Sequence, residues 1–269
     1  MVTFLKADSA DFVALRQLWL TCFAEDERAA DLFFENINDT VHPYKATEGE
    51  QLIAAVYLAD CSLNDRQTHY LCGAATLPAY RGRGVMSGLI RFALADARAR
   101  GDVFSVLYPA DKGLYRFYER LGYQTKCTVR TMLWNREDLG VTQTPVCGEP
   151  DTDVLQRQTL YENFLFWKQN FIRFAAAYYE IYDVKTIRSR DAFVMYALDG
   201  GTATVYYALY RTGQDCKNLL STIGADSYIL IGTGADPLFA EAKCEAGGMV
   251  CPLTEEKPPD DVFIGITLN

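Results

Sequence analysis

Histidine is nearly absent. His42 and His69 are the only two among 269 residues, and neither lies at metal-ligand spacing from a cysteine. The eight cysteines (22, 61, 72, 127, 147, 216, 244 and 251) contain no CxxC pair. That argues against a zinc finger or ribbon, no metal is expected, and reduced, mostly buried thiols are the simpler expectation. No apolar run approaches the roughly 18 residues that span a bilayer. Met1-Val2-Thr3-Phe4-Leu5-Lys6 has neither a basic n-region nor an h-region. A cytoplasmic protein with no membrane partner is therefore expected. Basic charge is also short, with 26 Lys and Arg against 35 Asp and Glu and a net charge of −9. A chain this acidic, without a basic stripe, is poorly suited to neutralising phosphates, so no nucleic-acid partner is expected. Cationic substrates suit it better. The deficit is uneven: residues 1–135 hold 15 basic and 16 acidic side chains, and residues 136–269 hold 11 and 19.

What the first half does have is Leu77-Pro78-Ala79-Tyr80-Arg81-Gly82-Arg83-Gly84-Val85-Met86-Ser87-Gly88. A strand signal, His69 to Thr76, precedes it. A helix signal follows, in which Met86, Leu89, Ile90, Ala93, Leu94 and Ala97 recur at helical spacing. The glycines thus sit where a strand hands over to a helix. The first turn of a helix carries N–H groups without intrahelical partners, and the macrodipole makes that end attractive to anions. Gly82 and Gly84 let the backbone approach a phosphate, and Arg81 and Arg83 add charge and donors. A Walker loop would need Gly-Lys-Ser/Thr, but Val85 and Met86 follow Gly84. A dinucleotide fingerprint would place its third glycine at Ser87 and would follow the strand directly, without Pro78 and two arginines between.

Strand, then Pro-x-Tyr-Arg-Gly-Arg-Gly-Val, then amphipathic helix resembles the acetyl-coenzyme A loop of the GNAT N-acetyltransferase superfamily. Its Arg/Gln-x-x-Gly-x-Gly/Ala pattern maps onto Arg81, Gly84 and Met86. The large residue at Met86 is similar to the enhanced-intracellular-survival branch. About 30 residues on, Phe117-Tyr118-Glu119-Arg120-Leu121-Gly122-Tyr123 is similar to the Leu-Tyr-x-x-x-Gly-Phe signature of the same superfamily. The resemblance implies an α+β fold of three layers, a mixed sheet flanked by helices, followed by a second, degenerate GNAT-like α+β domain as in tandem members. It also implies acetyl-CoA as cosubstrate. The pantetheine arm would lie along the backbone of Ala75, Thr76 and Leu77, and the pyrophosphate would be held by Arg81, Gly82, Arg83, Gly84, Val85, Met86 and Ser87. Tyr118 falls where the superfamily places a tyrosine beside the coenzyme A sulfur, so it becomes the general acid, with Tyr115 in reserve.

The rest of the chain supplies the frame. Asp8 or Ser9 can cap a helix carrying Phe12, Leu15, Trp19, Cys22 and Phe23, and a second helix is expected over Ala29 to Ile37 after Glu25-Asp26-Glu27. By resemblance that acidic link borders the acceptor pocket; as a plain sequence it is a solvated loop. Gln51 to Leu63 reads as a buried strand, and Val103 to Tyr108 as a strand parallel to the one before the loop. Residues 136–150 read as a linker between a domain over 1–135 and another over 151–269. Beyond it we expect a long helical region over Thr152 to Tyr182, a hairpin turning at Asp199-Gly200-Gly201, and a strand over Ser227 to Ile231. A helix over Pro237 to Glu245 and late strands at Met249–Cys251 and Val262–Ile266 complete the reading.

The expected activity is acetyl transfer to a primary amine of a small molecule or protein by direct attack. His69, Glu25, Asp26 and Glu27 are the weak nominees for a base. A coenzyme A-binding module whose catalysis has decayed is the rival, favoured by the lack of an evident base.

Overall fold

The computed structural model describes residues 1–23, 25–36, 40–160 and 162–268. Ile37, the expected end of the second helix, and Asn269 lie outside the described residues. The chain forms two compact units. One comprises residues 1–125, 249–258 and 268–269, and the other comprises residues 126–248 and 259–267.

In the first unit, β1 (Val2–Lys6) leads to a 3-10 turn capped by Asp8, whose carboxylate accepts from the Ala10 N–H at 2.9 Å. Then come α1 (Phe12–Cys22) and α2 (Glu27–Asn36). β2 (Val41–Glu48), β3 (Gln51–Leu63) and β4 (Arg66–Thr76) form an antiparallel meander. Asn64 and Asp65, both at positive φ, make the β3–β4 turn, as a two-residue hairpin requires. After α3 (Val85–Arg100), β5 (Phe104–Leu107) pairs parallel to β4, and α4 (Lys112–Glu119) follows. The far side of β5 is taken by the end of β12 (Lys243–Pro252), antiparallel, with Met249 opposite Leu107 and Pro252 opposite Phe104. The strand order is β1-β2-β3-β4-β5-β12. One sheet face packs against α3 and α4 through Val56, Leu58, Leu71, Leu89, Ile90 and Tyr123. The other face carries Tyr57 beneath Trp19 and Phe33, whose rings stack at 4.6 Å.

The second unit orders its strands β6-β11-β10-β9-β8. β6 is Gln124–Asn135, β8 Lys185–Ser189, β9 Ala192–Asp199, β10 Thr202–Tyr210 and β11 Ser227–Gly232. β9 and β10 form the expected hairpin on Gly200 and Gly201, both at positive φ. β10 and β11 are parallel, with α7 (Gly213–Leu220) between them. β6 pairs with β11, antiparallel. Trp134, Val194, Val205, Leu219, Tyr228 and Leu230 form the core beside α7.

Three expectations change here. Thr152 to Tyr182 is not one helical region but α5 (Thr152–Thr159), a two-residue strand β7 (Leu165–Phe166) and α6 (Gln169–Glu180). The interruption has local causes. Asn163 takes a left-handed φ of 54°, Phe263 donates its N–H to the Asn163 carbonyl at 2.7 Å, and Leu165 donates to the Phe263 carbonyl at 2.9 Å. Buried Gln156 also takes both backbone groups of Trp167, so backbone that a helix would have used is bonded elsewhere. Pro237 to Glu245 forms only a 3-10 turn over Pro237–Phe239 before β12 begins. Val262–Ile266 contributes two isolated bridges, Cys127 with Val262 and Phe164 with Phe263, instead of a strand. Among the described residues no helix is long and apolar enough to cross a membrane, and no group of three or more His, Cys, Asp or Glu is arranged to hold a metal.

Candidate acyl-coenzyme A site

The site is built where β4 parts from β5. Their parallel pairing covers Thr68–Tyr70 opposite Phe104–Val106, whereas β4 runs on to Thr76. Towards β3 the ladder resumes after a bulge: Tyr57 faces Cys72 and Ala55 faces Ala75, so Gly73 and Ala74 together oppose Val56. Gly73 takes φ +59° there. The Leu77 N–H donates to the Ile53 carbonyl at 2.9 Å, and Leu77's own carbonyl accepts from Tyr80 at 2.8 Å. Backbone groups alternate in direction along a strand, so Ala75 turns to β3 while Ala74 and Thr76 turn to the open side. Of the three backbone positions expected to meet a pantetheine arm, Thr76 faces the gap, and Leu77 is already bonded within the protein.

The loop follows at once. Pro78–Tyr80 makes a 3-10 turn. Gly82 and Gly84 both adopt the left-handed conformation, at φ +74° and +77°, and a Cβ built on either would meet nothing within 4 Å. Gly84 is the N-cap of α3 and offers no side-chain cap; the helix's own bonding opens with Gly88 N–H to the Gly84 carbonyl at 3.0 Å. The N–H groups of Val85, Met86 and Ser87 therefore precede the first intrahelical donor, Gly88. Val85 is buried and Met86 half-buried in the core, so these two can offer only main chain. The Arg81 Nε donates to the Thr76 carbonyl at 3.0 Å, and the Arg83 guanidinium lies 5.1 Å from the centre of the Tyr80 ring. Glycines forced into a left-handed turn with open space above them, next to a helix end without a cap, fit a pyrophosphate.

Tyr118 lies on α4, which Asp111 caps by accepting from the Gly113 N–H at 2.7 Å. Its ring is 7% exposed, edge-on to Phe117 at 5.0 Å and to Tyr123 at 5.6 Å. Burial, then the charges of Asp111 and Cys72, push its hydroxyl up to about 12. Among the described residues that hydroxyl has no hydrogen-bond partner. Tyr115, the reserve candidate, is half-buried against the α3–α4 core.

The nominated bases fare differently. His69 is fully buried, with Nδ1 2.5 Å from Asp102 Oδ2 and Nε2 without a partner. Burial lowers its pKa, and the neighbouring Asp102 only partly opposes that. Asp102 also accepts from Gln67 at 2.6 Å and Arg100 at 2.8 Å, and lies beyond the C-terminal end of α3, one helix length from the loop. His69 is a structural residue at the wrong end of the helix to act as a base. Asp26 is bridged by Arg28 at 2.8 Å and Glu27 faces Arg16 at 3.7 Å. Glu25 accepts a hydrogen bond from the Trp19 indole.

Sequence reasoning missed the aromatic floor under the bulge. Trp19 and Tyr57 press on Gly73, and the Tyr57 hydroxyl is buried without a partner. An isolated glycine inside a strand signal was the available clue.

The model of the Acetyltransferase (GNAT) domain matches residues 4–125. A GCN5-related N-acetyltransferase from Anabaena variabilis has a similar fold, with a TM-score of 0.74 at 12% identity over 94% of this chain and 73% of that one. A probable N-acyltransferase from Enterococcus faecalis superposes at 0.73 and 16% identity, over 94% and 73%. Eis1 from Mycobacterium abscessus does so at 0.70 and 14%, over 94% and 74%. Among curated proteins no sequence matches. With the open glycine loop at the head of α3 and the parted strands beside it, residues 4–125 match the Acetyltransferase (GNAT) domain, and the chain shares its fold with these structures.

Proposed function

We propose that the protein transfers an acetyl group from acetyl-CoA to a primary amine of a small molecule or protein by direct attack, with Tyr118 as general acid. The observation that carries this reading is an uncapped, glycine-opened end of α3 beside the place where β4 parts from β5. The main chain from Gly84 to Ser87 and the Arg81 and Arg83 side chains would hold the pyrophosphate, and the open edge at Thr76 the pantetheine arm. When bound, the cosubstrate supplies an activated thioester.

Tyr118 stays protonated at neutral pH because its hydroxyl is pushed up to about 12. Full transfer to a thiolate of pKa about 8.5 would be uphill by about 3.5 units, about 5 kcal/mol. Tyr118 therefore acts chiefly by donating a hydrogen bond to charge developing on the leaving sulfur. A lysine-like amine, with pKa about 10.4, costs about 5 kcal/mol to deprotonate at pH 7. With His69 buried against Asp102, the neutral fraction of that amine governs the rate. We expect kcat/KM to rise about tenfold per pH unit from pH 6 to 9.

Residues 151–269 we read as a degenerate GNAT-like domain, with residues 1–135 catalytic and 136–150 a linker. It repeats the parallel pair across a helix, and β10 carries a bulge at Tyr206, as β4 does at Gly73 and Ala74. But only Arg211 and Thr212 separate β10 from α7, and Thr212 and Asp215 form a capping box on that helix. The Asp215 N–H donates to the Thr212 hydroxyl, and the Asp215 carboxylate accepts from the Thr212 N–H.

The test is free-thiol release from acetyl-CoA across a panel of amines for wild type, Tyr118→Phe and Gly84→Glu. Amine-dependent release, slowed at least about tenfold by Tyr118→Phe with thioester binding intact, supports the reading. Tight binding lost in Gly84→Glu, with no release on any amine, would instead support a decayed coenzyme A-binding module.

A further inference from the structure

We propose that Trp19 and Tyr57 limit the length of the acyl group, admitting acetyl and turning away chains of four carbons or more. The inference rests on the acyltransferase reading and sharpens it.

The loop at the head of α3 fixes one end of the thioester. From there the arm runs along the open side of β4, past Thr76 and Ala74. Gly73 is the next residue along β4, so a group projecting past the sulfur meets the bulge. On the α1–α2 side of Gly73 the room is already taken. A Cβ there would stand 2.4 Å from Trp19 Cζ3, 2.7 Å from Tyr57 Cδ2 and 3.1 Å from Trp19 Cη2.

Neither ring is free to retreat. Trp19 is 5% exposed and Tyr57 fully buried. Trp19 is stacked on Phe33 at 4.6 Å and edged by Phe23 at 5.0 Å, and its indole N–H is held by Glu25. Tyr57 meets Phe33 at 5.2 Å. Interiors packed this closely do not absorb an extra methylene without moving a neighbour. A two-carbon group stops short of this wall; each further methylene runs into it.

The atoms of Trp19 that touch Gly73 belong to the outer edge of the indole, which phenylalanine lacks. Trp19→Phe should therefore open the floor while keeping a ring in the cluster. The experiment is calorimetric binding of acetyl-, propionyl- and butyryl-CoA to wild type and Trp19→Phe, alongside kcat/KM for each thioester on an amine that accepts acetyl. Wild type should favour acetyl over butyryl at least about 10-fold in both affinity and kcat/KM, and Trp19→Phe should bring the two within about threefold. Should thermal melting find Trp19→Phe unfolded, Phe33→Leu carries the test. Removing the ring stacked behind Trp19 lets the indole withdraw, and the preference should fall in the same direction. Equal handling of acetyl and butyryl by wild type, or an unchanged preference in a folded variant, would overturn the length limit and leave the acetyltransferase standing. Failure to bind any of the three thioesters would sink the reading of the site, and the length limit with it.

Discussion

Gly73 and Gly84 share a left-handed φ and differ in what surrounds them. At Gly84 a methyl would enter open space beside the first N–H groups of α3, so Gly84→Ala should cost about 1 kcal/mol in stability from the backbone alone, while KM for acetyl-CoA rises sharply. At Gly73 the same methyl meets two buried rings, and overpacking adds about 1–3 kcal/mol to the strain. Urea midpoints measured beside thioester KM values should separate the two variants. His69 makes the opposite point: a lone histidine on a strand is chemically suggestive in sequence, but its role depends on what closes over it, which no local pattern records. The structure gives it a thermodynamic role instead. Burial sets its folded pKa below the unfolded 6.5 or so, so its contribution is full above that value and is lost as pH falls below it. Asp102 would be raised by burial, but hydrogen bonds from His69 and Arg100 hold it to about 2, so its own contribution is lost later, between about pH 4 and 2. The urea midpoint should be level from pH 8 to 7 and decline below 6.5, and His69→Asn should flatten the decline between pH 6.5 and 5. A midpoint that rises on acidification would contradict this assignment.

At the scale of elements, α3 and α7 are built alike and terminated differently. The N-terminal end of α3 is left open by Gly84, whereas that of α7 is closed by Thr212 and Asp215. Thr212→Ala should therefore cost about 1 kcal/mol of stability without changing acetyl transfer, as chemical denaturation and the thiol assay can check together. The same contrast explains what was legible in the sequence. β3, β4, α3 and the glycine loop could be read because turn residues, alternation and helical period agree there. The run from Thr152 to Tyr182 could not, because its aromatics are core residues whichever backbone carries them. Leu160, Phe164, Trp167, Phe171 and Phe174 are all buried, yet Phe164 and Trp167 lie outside any helix. Hydrogen bonds from Gln156 and Phe263 decide the matter, and both lie outside the periodic pattern.

At the scale of the whole molecule, the first unit completes its sheet with a strand from far along the sequence, β12 beside β5. Nothing local announces such a pairing, since Met249–Cys251 reads as a strand without naming its neighbour. A fragment ending at residue 135 would leave the β5 edge unpaired, and unpaired edges invite association with other chains. We expect that fragment to aggregate or melt well below the full chain. A peptide covering residues 243–258, supplied in trans, should recover part of the loss in thermal melting and light scattering. The pairing also bears on the order of events at the ribosome. β5 is complete once residue 107 has been made, and its partner only once residue 252 has. At about 5–20 residues per second the nascent domain waits roughly 7–30 s with that edge unpaired. During synthesis its dependence falls on whatever shields β5 until the last strand emerges.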